Sequence, residues 1–346
     1  MSDFENALQN KFKEKILKDE LLSKHTTMGV GGPAQFFVSI ENTQELLFAI
    51  KLARRYQIPF FILGKGSNVI ISDLGLKGLV IVNNILSFEL LNDYKTKVKP
   101  ILVEARHENV DKSLEIEKYG LSWDENSSIQ FIKVGSGWKL LVLINKLIEL
   151  GLTGLEWFYG IAGSVGGAVY MNVHGGAHQF FSNFLTELEV INENSEIEKL
   201  DVGQLEFDYD YSLFHKRKLI ITNVILKLHK GNKLKATRVI NEWGREKIIK
   251  QPQRSSGCMF QNLPIKKQKE LNLPTPSMGY IIDEVLDLAG TKIGGAMISK
   301  RHSAFIENLG NAKACDIKAL VDLIKSKTNE KYGFKPKLEV EFIGDF

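Results

Sequence analysis

The stretch Gly160-Ile161-Ala162-Gly163-Ser164-Val165-Gly166-Gly167-Ala168 packs four glycines and three other small residues into nine positions, and it constrains this chain more than any other segment. Glycine loses conformational entropy on folding and leaves the main chain bare. Such density therefore marks either a tightly packed strand and turn or backbone cleared for a flat or charged ligand. A second small-residue site, Gly64-Lys65-Gly66-Ser67-Asn68, favours the ligand. It follows the apolar run Pro59-Phe60-Phe61-Ile62-Leu63 and precedes Val69-Ile70-Ile71, which reads as a strand, a glycine turn and a second strand. Successive amides in such a turn form an anion nest, with the Ser67 hydroxyl and the Asn68 amide as further donors. A plain structural hairpin is the alternative.

The balance of 45 basic and 41 acidic residues gives a net charge of +4, which calls for neither a nucleic acid nor a membrane partner. Clusters such as His215-Lys216-Arg217-Lys218 read as solvated turns. Two cysteines, Cys258 and Cys315, make no disulfide framework and no metal-ligand set, and reduced thiols suit the cytoplasm. Cys315 is expected to pack internally. Residues 1–20 lack the apolar centre of a signal peptide, and no run approaches a membrane span. At 346 residues the chain is long enough for two or three domains.

Asn42-Thr43-Gln44-Glu45 opens a helix as a capping box, with Leu46, Leu47, Ile50 and Ala53 on its apolar face. A second helix is expected over residues 138–150, with Leu140, Leu141, Ile144, Leu147 and Ile148 inward and Gly151 as its stop. Strands are expected at 79–82, 188–191, 198–200 and 219–228. A helix over 235–250 ends at Gln251-Pro252. The polar segment 92–128 is read as an inserted surface excursion. Gly29-Val30-Gly31-Gly32-Pro33-Ala34 formally fits a dinucleotide fingerprint, but no buried strand precedes it, Pro33 sits in the turn, and Arg54-Arg55 stands where an acid should hold a ribose. A Rossmann fold is therefore excluded.

The last third carries the candidate chemistry. Cys258 lies in the small-residue turn Ser255-Ser256-Gly257-Cys258-Met259-Phe260-Gln261-Asn262, where a thiol serves as proton donor, nucleophile or inert filler. In Leu338-Glu339-Val340-Glu341-Phe342-Ile343 the strand alternation puts Glu339 and Glu341 on one face, either a solvated edge or a functional one.

These motifs, together with Thr26-Thr27-Met28, Gly154-Leu155-Glu156, Gly294-Gly295-Ala296 and Ser299-Lys300-Arg301-His302, occur in the order seen in the UDP-N-acetylenolpyruvoylglucosamine reductase (MurB) family of peptidoglycan synthesis, which the chain resembles over residues 22–344. The resemblance implies an α+β protein. It would have a vanillyl-alcohol-oxidase-type (PCMH) FAD-binding fold in two subdomains, residues 22–85 and 86–236, and a C-terminal α/β substrate-binding domain over 237–346. It implies non-covalent FAD, NADPH as co-substrate, a nucleotide-sugar substrate and a monomer or weak oligomer.

By the same resemblance FAD is held by Gly64, Lys65, Gly66, Ser67 and Asn68 and by Gly160, Ile161, Gly163, Ser164, Gly166 and Gly167. Cys258 takes the place of the family's proton donor, and Glu339 that of its catalytic glutamate. Tyr209, Gln261 and Asn262 fall on substrate-contacting positions. The family reads Phe-x-Tyr-Arg-x-Ser with an arginine for the substrate carboxylate, whereas Phe207-Asp208-Tyr209-Asp210-Tyr211-Ser212 places Asp210 there. Losing such a cation costs about 10²–10³ in rate unless another base substitutes, and Lys250 and Arg254 are the candidates. Asn172-Val173-His174-Gly175-Gly176-Ala177 replaces the family's Asn-Ala-Gly-Ala-Tyr-Gly loop. Two other readings remain open at this point: a carbohydrate oxidase on the same scaffold with His174 attaching the flavin, or a flavin- or nucleotide-sugar-binding homologue impaired in catalysis.

Overall fold

Three lobes, each with an apolar core and a sheet of its own, meet around one cleft in the computed structural model, which describes residues 3–96, 103, 122–123, 126–175 and 179–346, and a fourth, two-stranded sheet joins two of them. In the first lobe Pro33–Ile40, Leu76–Asn83 and Phe60–Leu63 run parallel, with Ile16–Leu17 and Glu20–Leu21 added antiparallel at the edge. Leu76–Asn83 is buried along nearly its whole length, as a central parallel strand covered on both faces must be. The helix Thr43–Arg55 makes the crossover, and the Asn42 side chain accepts its Glu45 amide at 2.9 Å. Glu45 closes the box one residue early, taking the amide of Glu41. The N-terminal helix Asp3–Phe12 buries Phe4, Leu8 and Phe12 in the same core, so residues ahead of 22 are structurally part of this lobe.

The second lobe is an antiparallel sheet in the order Ile197–Asp201, Leu185–Ile191, Ile220–Lys230, Ile129–Gly135, Phe88–Leu91. The helix Leu140–Glu149 packs on it through Leu140, Leu143, Ile144, Leu147 and Ile148. Leu141, expected inside, is exposed, and Leu143 takes its place because the true stripe steps by three from Leu140. Lys233–Lys250 ends where expected. It buries Ala236 and Ile240 in this lobe's core, so the helix closes the second lobe instead of opening the third. The excursion read at 92–128 lies largely outside the described residues, as do Gly176 and Ala177.

The third unit is a small sheet, Lys292–Ile293, Ala296–Ile298 and Ile306–Asn308, backed by the helix Ala314–Tyr332. Its chain then returns to the first lobe. Glu341–Ile343 pairs in parallel with Val69–Ile71, the strand that leaves the Gly64 turn. The two strands flanking that turn therefore lie in different sheets, and the turn is a crossing point between lobes, not a hairpin. A second tie is Asp73, whose carboxylate accepts the Ala314 and Cys315 amides at 2.8 and 3.0 Å and so caps a helix 241 residues away. Cys315 itself is exposed there and does not pack, because it sits on the first, solvent-facing turn. No described helix is long and apolar enough to cross a membrane.

An Asp73→Ala variant should lose about 1 kcal/mol of stability, the usual worth of a helix cap, read as a lowered urea midpoint for the C-terminal unit. An unchanged midpoint would mean that the cap contributes nothing.

Candidate active site

The cleft between the three units is a cavity of about 780 Å³ whose wall carries both small-residue turns. The turns interlock. A Cβ on Gly64 would stand 2.6 Å from the Ser164 Oγ, and one on Gly163 would stand 3.4 Å from the Ser67 Oγ. Gly66 holds φ +61° against the His25 carbonyl, where a Cβ would lie 2.2 Å from the oxygen, so only glycine fits. Ser164 caps the short helix Val165–Tyr170 by accepting the Gly167 amide.

Among the described residues the amides of Lys65, Gly66, Ser67, Ala162 and Gly163 donate to no protein acceptor. Five backbone donors turned to one wall without an intramolecular acceptor can cradle an anionic linker. A second cleft of about 550 Å³ shares Gly64, Lys65 and the Gly160 to Gly163 backbone, and Lys24, His25 and Lys139 line it further out. The bare wall thus runs between an apolar-lined chamber and a basic one, which suits an extended ligand with a flat head and a phosphate waist. Lys65 donates to the Asn84 Oδ1 at 2.7 Å, and burial with Lys139 nearby holds its ammonium below the usual lysine range. The residues fit FAD.

Facing that wall, the third unit supplies Cys258, Asn262 and Glu339, and the second lobe supplies Tyr209 and Asp210. Cys258 is anchored by an isolated bridge to Phe305, and Glu339 by its amide on the Met259 carbonyl at 3.0 Å. The Asn68 amide also donates to the Glu339 carbonyl at 3.1 Å, tying the glycine turn to the glutamate. Burial pushes the Cys258 thiol well above its ordinary range, helped by Glu339 and Asp210 and opposed by Lys247. Burial, then Asp210, pushes Glu339 the same way, again opposed by Lys247, so the carboxyl holds its proton well above the usual carboxylate range. Tyr209 is raised by burial and by the Asp210 and Glu339 charges, while an Asn262 hydrogen bond works against the shift.

Most of the residues singled out in the sequence line this wall, and some do not. Tyr209 and Asn262 are together as expected. Gln261 is not on the wall: it is buried behind it, its backbone amide donates to the Lys337 carbonyl, and its Oε1 has no partner among the described residues. A one-residue step along an extended chain reverses the side chain, and Asn262 takes the inward place. Lys250 points to solvent, 4.0 Å from Glu246, and neither it nor Arg254 lines the cavity. The basic side chains that do line the cavity are Lys65, His174, His302 and Lys247, the last one turn earlier on the same helix as Lys250. Glu341 shares the face of Glu339, as the alternation indicates, and accepts the Tyr170 hydroxyl at 3.0 Å. Burial and Glu341 both raise the Tyr170 phenol.

The C-terminal-domain model of UDP-N-acetylenolpyruvoylglucosamine reductase matches residues 250–343. The chain is 33% identical over 334 residues to UDP-N-acetylenolpyruvoylglucosamine reductase 1 of Bacillus anthracis, covering 95% of each. It is 31% identical to the reductase of Prochlorococcus marinus, covering 95% of this chain and 98% of that one. The crystal structure of the reductase from Thermus caldophilus is 30% identical and superposes with a TM-score of 0.68 over 94% of this chain and 98% of that one. Fold and cleft together define a flavin-dependent oxidoreductase with two cofactor-binding subdomains and a C-terminal α/β domain. More narrowly, the chain belongs to the UDP-N-acetylenolpyruvoylglucosamine reductase family.

Iodoacetamide at pH 8 followed by peptide mapping should label exposed Cys315 well before Cys258. Because the Cys258 thiol is raised, its labelling rate should still climb above pH 9, and fast labelling at neutral pH would contradict the buried, anion-flanked setting.

Proposed function

We propose that this chain reduces the enolpyruvyl ether of UDP-N-acetylglucosamine to UDP-N-acetylmuramate, with NADPH as the electron source, in peptidoglycan precursor synthesis in the cytoplasm. The observation that carries the reading is the convergence of Cys258, Glu339, Tyr209 and Asn262 opposite the bare glycine wall in one cavity. FAD, when bound along that wall, supplies the means of passing a hydride from NADPH to the terminal alkene carbon.

Everything else falls to the protein. The carbon bearing the carboxylate must gain a proton as the hydride arrives, and Cys258 is the donor on the wall. A thiol, with an ordinary pKa of about 8.5, is a far stronger acid than a serine hydroxyl, and its raised value keeps it protonated until it is needed. Glu339, protonated by burial and by Asp210, can donate a hydrogen bond to the carboxylate oxygen on which charge develops, where an ionised carboxylate would repel it. Tyr209 and Asn262, hydrogen-bonded to each other, present a hydroxyl and an amide to the sugar nucleotide. Added hydride, added proton and released NADP⁺ balance the reduction.

A Cys258→Ala variant should still let NADPH bleach the flavin, yet the enolpyruvyl substrate should no longer restore its colour. Turnover at the wild-type rate would remove the thiol from the chemistry. Glu339→Gln, which keeps a donor, should retain more activity than Glu339→Ala, with the loss in the latter about 10²–10³-fold as for other preorganised donors. Equal loss in both would show that the ionised carboxylate is the working form.

A further inference from the structure

We propose that His174, held by Asp210, is the cation that receives the substrate carboxylate, in the place the family gives to an arginine at position 210. The inference rests on the reductase reading of the site.

Asp210 occupies the tip of a tight turn in which Asp208 and Tyr211 exchange backbone hydrogen bonds at 3.1 and 3.3 Å. Its φ of +48° is a conformation aspartate tolerates better than most side chains. The turn drives the carboxylate into the cavity wall with its side chain only 3% exposed. A carboxylate there, beside a bound anion, is expensive unless a cation accompanies it. His174 is that companion. Its Nδ1 lies 3.3 Å from the Asp210 Oδ1, and its ring stacks on Tyr209 with centroids 5.0 Å apart and planes 25° apart. Phe180 flanks the ring at 6.1 Å.

Clamped between these groups, His174 keeps 36% of its side-chain surface and lines the cavity alongside Cys258 and Glu339. Two departures from the family pattern, an anion for the arginine and a histidine in the loop after Met171, therefore meet in space and compensate each other. The charge has changed position within the same wall. The groups facing it are Asp210 and Tyr209 from the turn, Cys258 and Glu339 from the third unit, and Lys247 from the long helix. Lys247 is the weaker candidate for the carboxylate because its stem lies against Gly160, 3.5 Å from where a Cβ would stand, on the cofactor side of the cleft.

The test is binding to the FAD-loaded protein, followed by calorimetry and by the shift in flavin absorbance. UDP-N-acetylmuramate, which carries the carboxylate, is compared with UDP-N-acetylglucosamine, which does not. His174→Gln, which retains a donor for Asp210 and loses the charge, should weaken the first about 10- to 100-fold and leave the second unchanged. His174→Arg, which keeps a cationic donor at the same point of the wall, should keep the preference. A preference that survives His174→Gln, or one that falls only in Lys247→Ala, overturns the inference while the reductase reading stands. Equal weakening of both ligands assigns His174 a structural role and overturns it too. Wild-type protein that binds neither nucleotide sugar removes the reductase reading and this inference with it.

Discussion

The parallel pairing of Glu341–Ile343 with Val69–Ile71 is the contact on which the site depends. It joins residues about 270 positions apart, a costly closure in chain entropy, and it fixes two things at once. It holds the segment carrying Glu339 against the strand that leaves the Gly64 turn, and it forces that turn to bridge two sheets instead of closing a hairpin. The Asn68 amide on the Glu339 carbonyl and the Asp73 cap on Ala314–Tyr332 secure the same joint from either side. Cys258 and Glu339 come from the third unit, while the bare backbone comes from the other two. Without this seam the cavity would have no opposite wall.

Burial then sets the chemistry. Cys258 and Glu339 both lie beside Asp210 in a poorly solvated pocket, and each is pushed toward its protonated form. That suits a reaction that ends with one proton transferred to carbon beside a carboxylate. The same Asp210 would repel the substrate if it stood alone, so the electrostatics of this wall make sense only as a balance among Asp210, His174 and Lys247. The amides left without acceptors on the glycine wall supply the complementary half, positive and neutral donors where an anionic dinucleotide linker would lie.

Much of this was legible in the residues. Glycine density reported where backbone had to be bare, and strand alternation put Glu339 and Glu341 on one face, because both signals are local. The helix after Asn42 and the one ending at Lys250 were readable for the same reason. What the sequence could not disclose was non-local. Nothing near Gly64 says that its flanking strands join different sheets. Nothing near Lys250 says that Lys247 is the turn facing the cavity, and the Asp210 to His174 contact spans 36 residues. The inward place of Leu143 over Leu141, the outward Cys315 and the hidden Gln261 were likewise decided by what packs against each element.

The most direct test of the bare-backbone cleft is the flavin content of the purified chain, read from its visible spectrum before and after acid precipitation. One FAD per chain, released into the supernatant and leaving a white pellet, is the predicted result. A colourless protein that takes up no FAD would contradict the cleft, and a yellow pellet would contradict non-covalent binding and turn His174 from a carboxylate receptor into an attachment point.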